Sequence, residues 1–232
     1  MPRKAPELSS TVAKKVLMAL TGLALFVFLV GHLGGNLLLF SGDPVVFNSY
    51  SHVLVSSGWV LIVVELLLLT VFLAHIVQAI WVTWKNRQAR PERYHRVKSA
   101  GRPSRKTLAS STMIWTGLIL LVFTALHLYT FKYGPGIQQG YATQINGEQM
   151  RDLHRLVSEV FHRPLYVLWY VAAMTFLGFH LRHGFWSAFQ SLGAYHPRYT
   201  PVVSALGYIF ALLLGLGFLA IPLWIYFFQG VS

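Results

Sequence analysis

Residues 14–41 read KKVLMALTGLALFVFLVGHLGGNLLLFS. After Lys14 and Lys15 no Asp, Glu, Lys or Arg occurs before Asp43. About 20 mostly apolar residues, rising 1.5 Å each as a helix, cross the hydrocarbon core of a bilayer. Four more such stretches follow, at 58–84, 108–131, 163–189 and 201–228. Lipid offers backbone groups no hydrogen-bond partners, so an open chain spans it as helices. The expected fold class is an all-α integral membrane protein, one domain over 1–232 built as a bundle of five spans.

Composition supports this. Of the 232 residues, 55% are hydrophobic and 11% charged. Mean hydropathy is +0.53. Soluble domains carry roughly 25% charged residues, so a soluble fold is excluded, as are disordered and collagenous chains. Cysteine is absent, which removes disulfides, zinc–thiolate sites and Cys-ligated iron–sulfur clusters. The net charge of +12 does not indicate a nucleic-acid partner, because the basic residues fall between apolar runs, as topology determinants do.

Fifteen Lys and Arg lie in the N-terminal arm, in the 85–107 connection, at Arg182 and at Arg198, against four on the other side: Lys132, Arg151, Arg155 and Arg163. The positive-inside rule then places the N-terminus in the cytoplasm and the C-terminus outside. The first span is too long for a secretory signal, and no small-residue cleavage site follows it. Residues 42–57 read as an outer loop without Lys or Arg. Residues 132–162 read as a longer outer loop with a short amphipathic helix over 147–160.

Ionisable groups within spans are costly and mark functional sites. The candidates are His32, Glu65, His75, His127, His180 and His183. Counted from where its span enters, each of four histidines lies 16 residues in: His32 from Val16, His127 from Ser111, His75 from Trp59 and His180 from Pro164. The first and third spans run outward, so His32 and His127 lie about 24 Å in, near the outer face. The second and fourth run inward, so His75 and His180 lie near the cytoplasmic face. Two histidine pairs in two layers are expected.

An internal repeat supports the pairing. Residues 21–33, TGLALFVFLVGHL, and 116–128, TGLILLVFTALHL, share Thr, Gly, Leu, Leu, Val, Phe, His and Leu at an offset of 95. Gly22 and Gly117 each precede their His by 10 residues, about 15 Å, which brings them level with His75 and His180. Glycine there removes bulk where a flat cofactor presses on the helix. Two imidazoles facing across a bundle core suit the axial positions of a haem iron. Zinc fits less well, since each layer offers two His and no carboxylate or thiolate.

The elements SSTVAKK…TG…GHLGGNL, His75, HLYTF and FHLRHGFWSAFQSLG resemble the cytochrome b anchor subunit of succinate:quinone oxidoreductase, in its single-subunit, two-haem form. The resemblance covers nearly the whole chain, and HLRHGFWSAFQSLG is its most specific part. It implies two haems b, the inner held by His75 and His180 and the outer by His32 and His127. It implies flavoprotein and iron–sulfur subunits docked on the cytoplasmic face of a bacterial inner membrane. It implies a quinone, usually menaquinone, as electron acceptor, and a trimer of the complex as one possible assembly. The succinate site belongs to a partner, so no catalytic residue is expected here. Fumarate reductases of the same build run in reverse.

In the fourth span His180 and His183 compete as ligand. The alignment through Gly184, Phe185 and Trp186 favours His180 and leaves His183 for a propionate or quinone headgroup. Lys14, Lys15, Arg182, Ser110 and Ser111 are candidate propionate partners of the inner haem, although snorkelling at the membrane surface would also explain the basic ones. Glu65 lies 10 residues before His75, about 15 Å nearer the outer face. There it would relay a proton to a quinone, pair with a propionate, or rest as a hydrogen-bonded carboxyl. His52, His95, His154, His162 and His196 fall in connections and are expected to be solvated. The rival readings are a two-haem anchor of a nitrate reductase or hydrogenase, a proton-carrying transporter, and an anchor without haem.

Overall fold

The computed structural model describes residues 11–89 and 108–230. Arg3, Lys4, His95 and most of the basic 85–107 connection lie outside the described residues. Five helices are long and apolar enough to cross a membrane. These are α1 (Thr11–Asn36), extended by a 3-10 turn over Leu37–Ser41, α3 (Trp59–Gln88), α5 (Met113–His127), extended by a π turn over Leu128–Lys132, α7 (Pro164–Ser191) and α8 (Thr200–Phe228). They match the five expected spans. A short α4 (Leu108–Ser111) precedes α5, so the third span starts later than residue 108.

Two connections are more ordered than the sequence reading expected. Residues 42–57 are not a loop: Pro44–Ser56 forms α2. Gly42, with φ 69°, ends the 3-10 turn. The Asp43 carboxylate then caps α2 by accepting the Val45 N–H at 2.8 Å, and Pro44 occupies the first turn, where its missing N–H costs nothing. Residues 132–162 hold a hairpin, β1 (Ala142–Ile145) against β2 (Glu148–Arg151), antiparallel with Ile145 opposite Glu148. Its turn is Asn146-Gly147, with φ of 53° and 83°. Positive φ at both positions is what a two-residue hairpin turn requires. The amphipathic helix is α6 (Leu153–Phe161), shorter than 147–160 because β2 takes up the first residues.

The elements α2, α6 and the hairpin meet at one end of the bundle. Asn48, 1% exposed, donates to Asp152 at 2.8 Å and accepts the His154 N–H at 2.9 Å. Asp152 also caps α6 by accepting the Arg155 N–H. The Tyr141 hydroxyl donates to Glu159, which Arg155 holds as well. Both contacts keep the Glu159 carboxyl below the usual carboxylate range, the Tyr141 bond contributing most. Leu39, Phe47, Leu156, Val157, Phe161 and Ile225 form the apolar core beneath.

Within the bundle α7 and α8 make the broadest contact. A Cβ on Gly215 would lie 3.3 Å from the Gly178 backbone, so a glycine on each helix permits the close crossing. Ala173, Met174, Leu177, Leu181, Ala211 and Leu214 form a dry middle layer. The outward faces carry exposed Leu66, Leu69, Leu73, Val77, Leu213 and Leu216. Such an apolar surface is suited to lipid and not to water.

Candidate cofactor-binding site

The four helices α1, α3, α5 and α7 bring the histidines together in the two expected pairs. The His75 and His180 rings face each other with centroids 6.5 Å apart and planes at 69°. The His32 and His127 rings stand 5.8 Å apart at 88°. His180 faces His75; His183, one turn further along α7, makes no ring contact with His75 among the described residues.

The repeat explains how each layer is built. Thr21 reaches from α1 to His75 on α3, with its hydroxyl 3.2 Å from Nδ1. Thr116 reaches from α5 to His180 on α7, at 3.1 Å. The Thr21 hydroxyl donates its single proton to a carbonyl of its own helix, Leu17 at 2.8 Å or Met18 at 3.1 Å. Thr116 donates to Met113. Each threonine oxygen is then left to accept, so Nδ1 of each histidine carries the proton. That tautomer leaves Nε2 with a free lone pair, the form a metal takes up.

The adjacent glycines complete the seat. A Cβ on Gly22 would lie 3.2 Å from His75 Cε1, and one on Gly117 would lie 3.5 Å from His180 Cε1. Gly22 and Gly117 do lie level with the inner pair. Counted along α1, Gly22 and His32 are 10 residues apart, which sets the two layers about 15 Å from each other.

In the layer of His32 and His127 the repeat supplies the stacking partners. Phe28 stacks on His32 at 5.2 Å and 17°, and Phe123 stacks on His127 at 5.6 Å and 27°. Nδ1 of His127 is 3.0 Å from the Tyr170 hydroxyl. Four matched pairs of the repeat therefore play matched parts: Thr21 and Thr116, Gly22 and Gly117, Phe28 and Phe123, His32 and His127.

The residues fit a planar macrocycle with two axial nitrogens. With metal–imidazole bonds of about 2 Å, two coaxial imidazoles have centroids about 6 Å apart, between the two observed separations. Among the described residues no three His, Cys, Asp or Glu gather as a metal cluster. Two buried polar atoms lack hydrogen-bond partners beside the layers: Gln78 Oε1, one turn from His75, and Trp169 Nε1, next to Tyr170.

The remaining candidates are spread along the bundle. Glu65 forms an ion pair with Lys132, at the end of the π turn after His127, so it stands at the end of the bundle that carries His127. Lys14 lies over the Trp81 ring at 3.7 Å, and Arg182 over Tyr208 at 5.2 Å. Lys15 is exposed. Ser111 donates to Leu108, and Ser110 is half-buried.

The expectation that the connecting histidines are solvated fails at two positions. His154 is buried, 6% exposed, because α6 lays it against α2. His162 bonds two backbone carbonyls. Three partners of the histidine layers, Thr21, Thr116 and Tyr170, were not singled out as site residues. The threonines head the repeat, and Tyr170 precedes His180 by the same 10 residues that separate Glu65 from His75. No protein-family model, curated protein or solved structure matches this chain.

Proposed function

We propose that this chain is a two-haem cytochrome b anchor that carries electrons across part of a membrane for a respiratory complex. The observation that supports it most is the double pairing of imidazoles, each layer served by the same repeated residues on α1 and α5. Bound haem supplies one-electron chemistry. The chain holds and orients it: His75 and His180 at the inner layer, His32 and His127 at the outer.

Thr21, Thr116 and Tyr170 orient three of these four rings through Nδ1. Gly22 and Gly117 leave room against the inner rings. Leu177, Leu181 and Leu214 keep the space between the layers dry. The paired Glu65 and Lys132 form a charged site at the outer end, suited to exchanging a proton with a reducible headgroup.

The resemblance to succinate:quinone oxidoreductase anchors extends this reading. It makes the electron donor an iron–sulfur subunit, beside a flavoprotein, at the cytoplasmic face of a bacterial inner membrane, and it makes the acceptor menaquinone. The test is a dithionite-reduced minus oxidised spectrum with haem counted per chain. It is repeated on separate His32→Ala and His75→Ala variants. Two b haems per chain, a different one lost in each variant, is the expected result. Succinate-driven reduction in the purified complex then separates this anchor from nitrate reductase and hydrogenase anchors. A wild type without haem would overturn the reading.

A further inference from the structure

His162 follows the last turn of α6. Its Nδ1 lies 2.7 Å from the Ser158 carbonyl oxygen, and its Nε2 lies 2.9 Å from the Gln229 carbonyl oxygen. Both contacts are backbone oxygens, and a carbonyl oxygen only accepts. A neutral imidazole has one N–H and one lone pair. In that form one of the two contacts would set a lone pair against a lone pair at hydrogen-bond distance. Only the doubly protonated ring donates to both.

Both acceptors sit at helix ends. Ser158 lies in the last turn of α6, and Gln229 caps α8. The carbonyl-bearing ends of two helices thus converge on one ring, and each carries partial negative charge. At 2.7 Å the Ser158 contact has the length of a charge-assisted bond. The elements packed against α6 and the end of α8 are α2, the π turn 128–132, α7 and the 3-10 turn 37–41. The titratable groups toward this end are Glu159, Arg155 and His154 from α6, Tyr50 and His52 from α2, Tyr129 and Lys132 from the π turn, Arg163 and Tyr166 from the start of α7, and Tyr226 from α8. The 3-10 turn has none, and Asp43 follows it. Glu159 is already held by Arg155 and Tyr141.

We infer that His162 is a proton-binding site whose imidazolium fastens the end of α8 to the end of α6. The tie reaches further, since the Gln229 side chain donates to the Leu39 carbonyl at 3.0 Å. The His162 ring and the Gln229 side chain together hold the ends of the first and last spans to the cap helix α6. The Lys and Arg distribution places this end outside, so the clasp senses the pH of the outer compartment. The site is independent of the histidine layers and stands or falls apart from the haem reading.

The chain has no cysteine, so Phe227→Cys gives a single attachment point for a spin label near the end of α8. The full chain in lipid nanodiscs is followed by its EPR line shape from about pH 5 to about pH 9, across the window in which histidine changes charge. With His162 present, the mobile fraction rises in one step with pH, by about tenfold if one charge-assisted bond is lost. His162→Lys keeps the label ordered throughout, and His162→Gln leaves it mobile throughout.

Gln229→Ala raises the overall mobility and retains the step, because the acceptor for His162 is backbone. A line shape independent of pH with His162 in place overturns the inference. So does a step that persists in His162→Gln, which would belong to another group such as His154. Should His162→Gln fail to fold, the comparison of wild type, His162→Lys and Gln229→Ala decides the matter.

Discussion

The hydroxyl of Thr21 on α1 lies 3.2 Å from Nδ1 of His75 on α3, and since its own proton goes to its helix backbone, it accepts the imidazole N–H. Thr116 and His180 repeat the relation 95 and 105 residues further along the chain. In the outer layer Tyr170 meets His127. Hydrogen bonding at Nδ1 makes Nε2 a more basic ligand, which favours the oxidised metal.

Removing these hydroxyls separates the layers. Under the haem reading, Thr21→Val and Thr116→Val raise the inner midpoint potential and leave the outer one in place, and Tyr170→Phe does the reverse. A net hydrogen bond of about 0.5–1.5 kcal/mol corresponds to roughly 20–60 mV for one electron. An optical redox titration of the two haems reads the shifts. A shift of both potentials in every variant would mean that the hydroxyls act through the fold and not on one ring.

The glycine seats differ in their tolerance. A Cβ at position 117 would make ordinary contact with His180 at 3.5 Å, while one at position 22 would press on His75 at 3.2 Å. Under the haem reading, Gly117→Ala should retain both haems with unchanged spectra. Gly22→Ala should force His75 aside by a few tenths of an ångström and broaden the inner haem signal alone. EPR of the oxidised protein distinguishes the two. Leucine at either position should abolish inner haem binding through overpacking.

The five spans and both histidine pairs were legible because lipid imposes one periodicity and one length, and depth along a helix follows from counting residues. What escaped was set by local turn chemistry or by contacts far apart in sequence. Asp43-Pro44 is a helix start and Asn146-Gly147 a hairpin turn, yet both lie in polar stretches that a search for spans treats as connections. The burial of His154 depends on Asn48, 106 residues earlier, and no local pattern announces it. Tyr170 sits among Trp169 and Val171 in an apolar run, and only its 10-residue spacing from His180 marks it.

Glu65 and Lys132 form their pair with side chains 39% and 37% exposed. If water reaches the pair at the end of the span, it contributes less than about 1 kcal/mol to stability. Glu65→Gln should then leave the melting temperature and, under the haem reading, both haem spectra unchanged. If the carboxylate exchanges protons at an outer-end quinone, the same variant loses quinone reductase activity while dithionite still reduces both haems. Equal activity in Glu65→Gln and wild type would confine Glu65 to a surface ion pair.

Burial gives His154, and through it the cap, a response to pH. Its ring is buried between α6 and α2, and burial lowers its affinity for a proton, outweighing the attraction of Asp152 and Asp43. Its folded pKa therefore lies below the ordinary histidine value of about 6.5. Between these two values the unfolded chain binds more protons than the folded one, so stability falls as pH falls through that window and is complete above it. His154 Nε2 is also buried without a hydrogen-bond partner, so an apolar residue of similar size removes an unsatisfied atom as well as the titration. His154→Leu should be neutral or stabilising near pH 7 and should flatten the acid limb of thermal stability below about pH 6.5. The backbone N–H that Asn48 accepts survives the substitution, so Asn48→Ala, which removes the bond itself, should destabilise the cap at every pH. Melting curves of the three proteins across that range test both statements, and an acid limb unchanged in His154→Leu would assign it elsewhere.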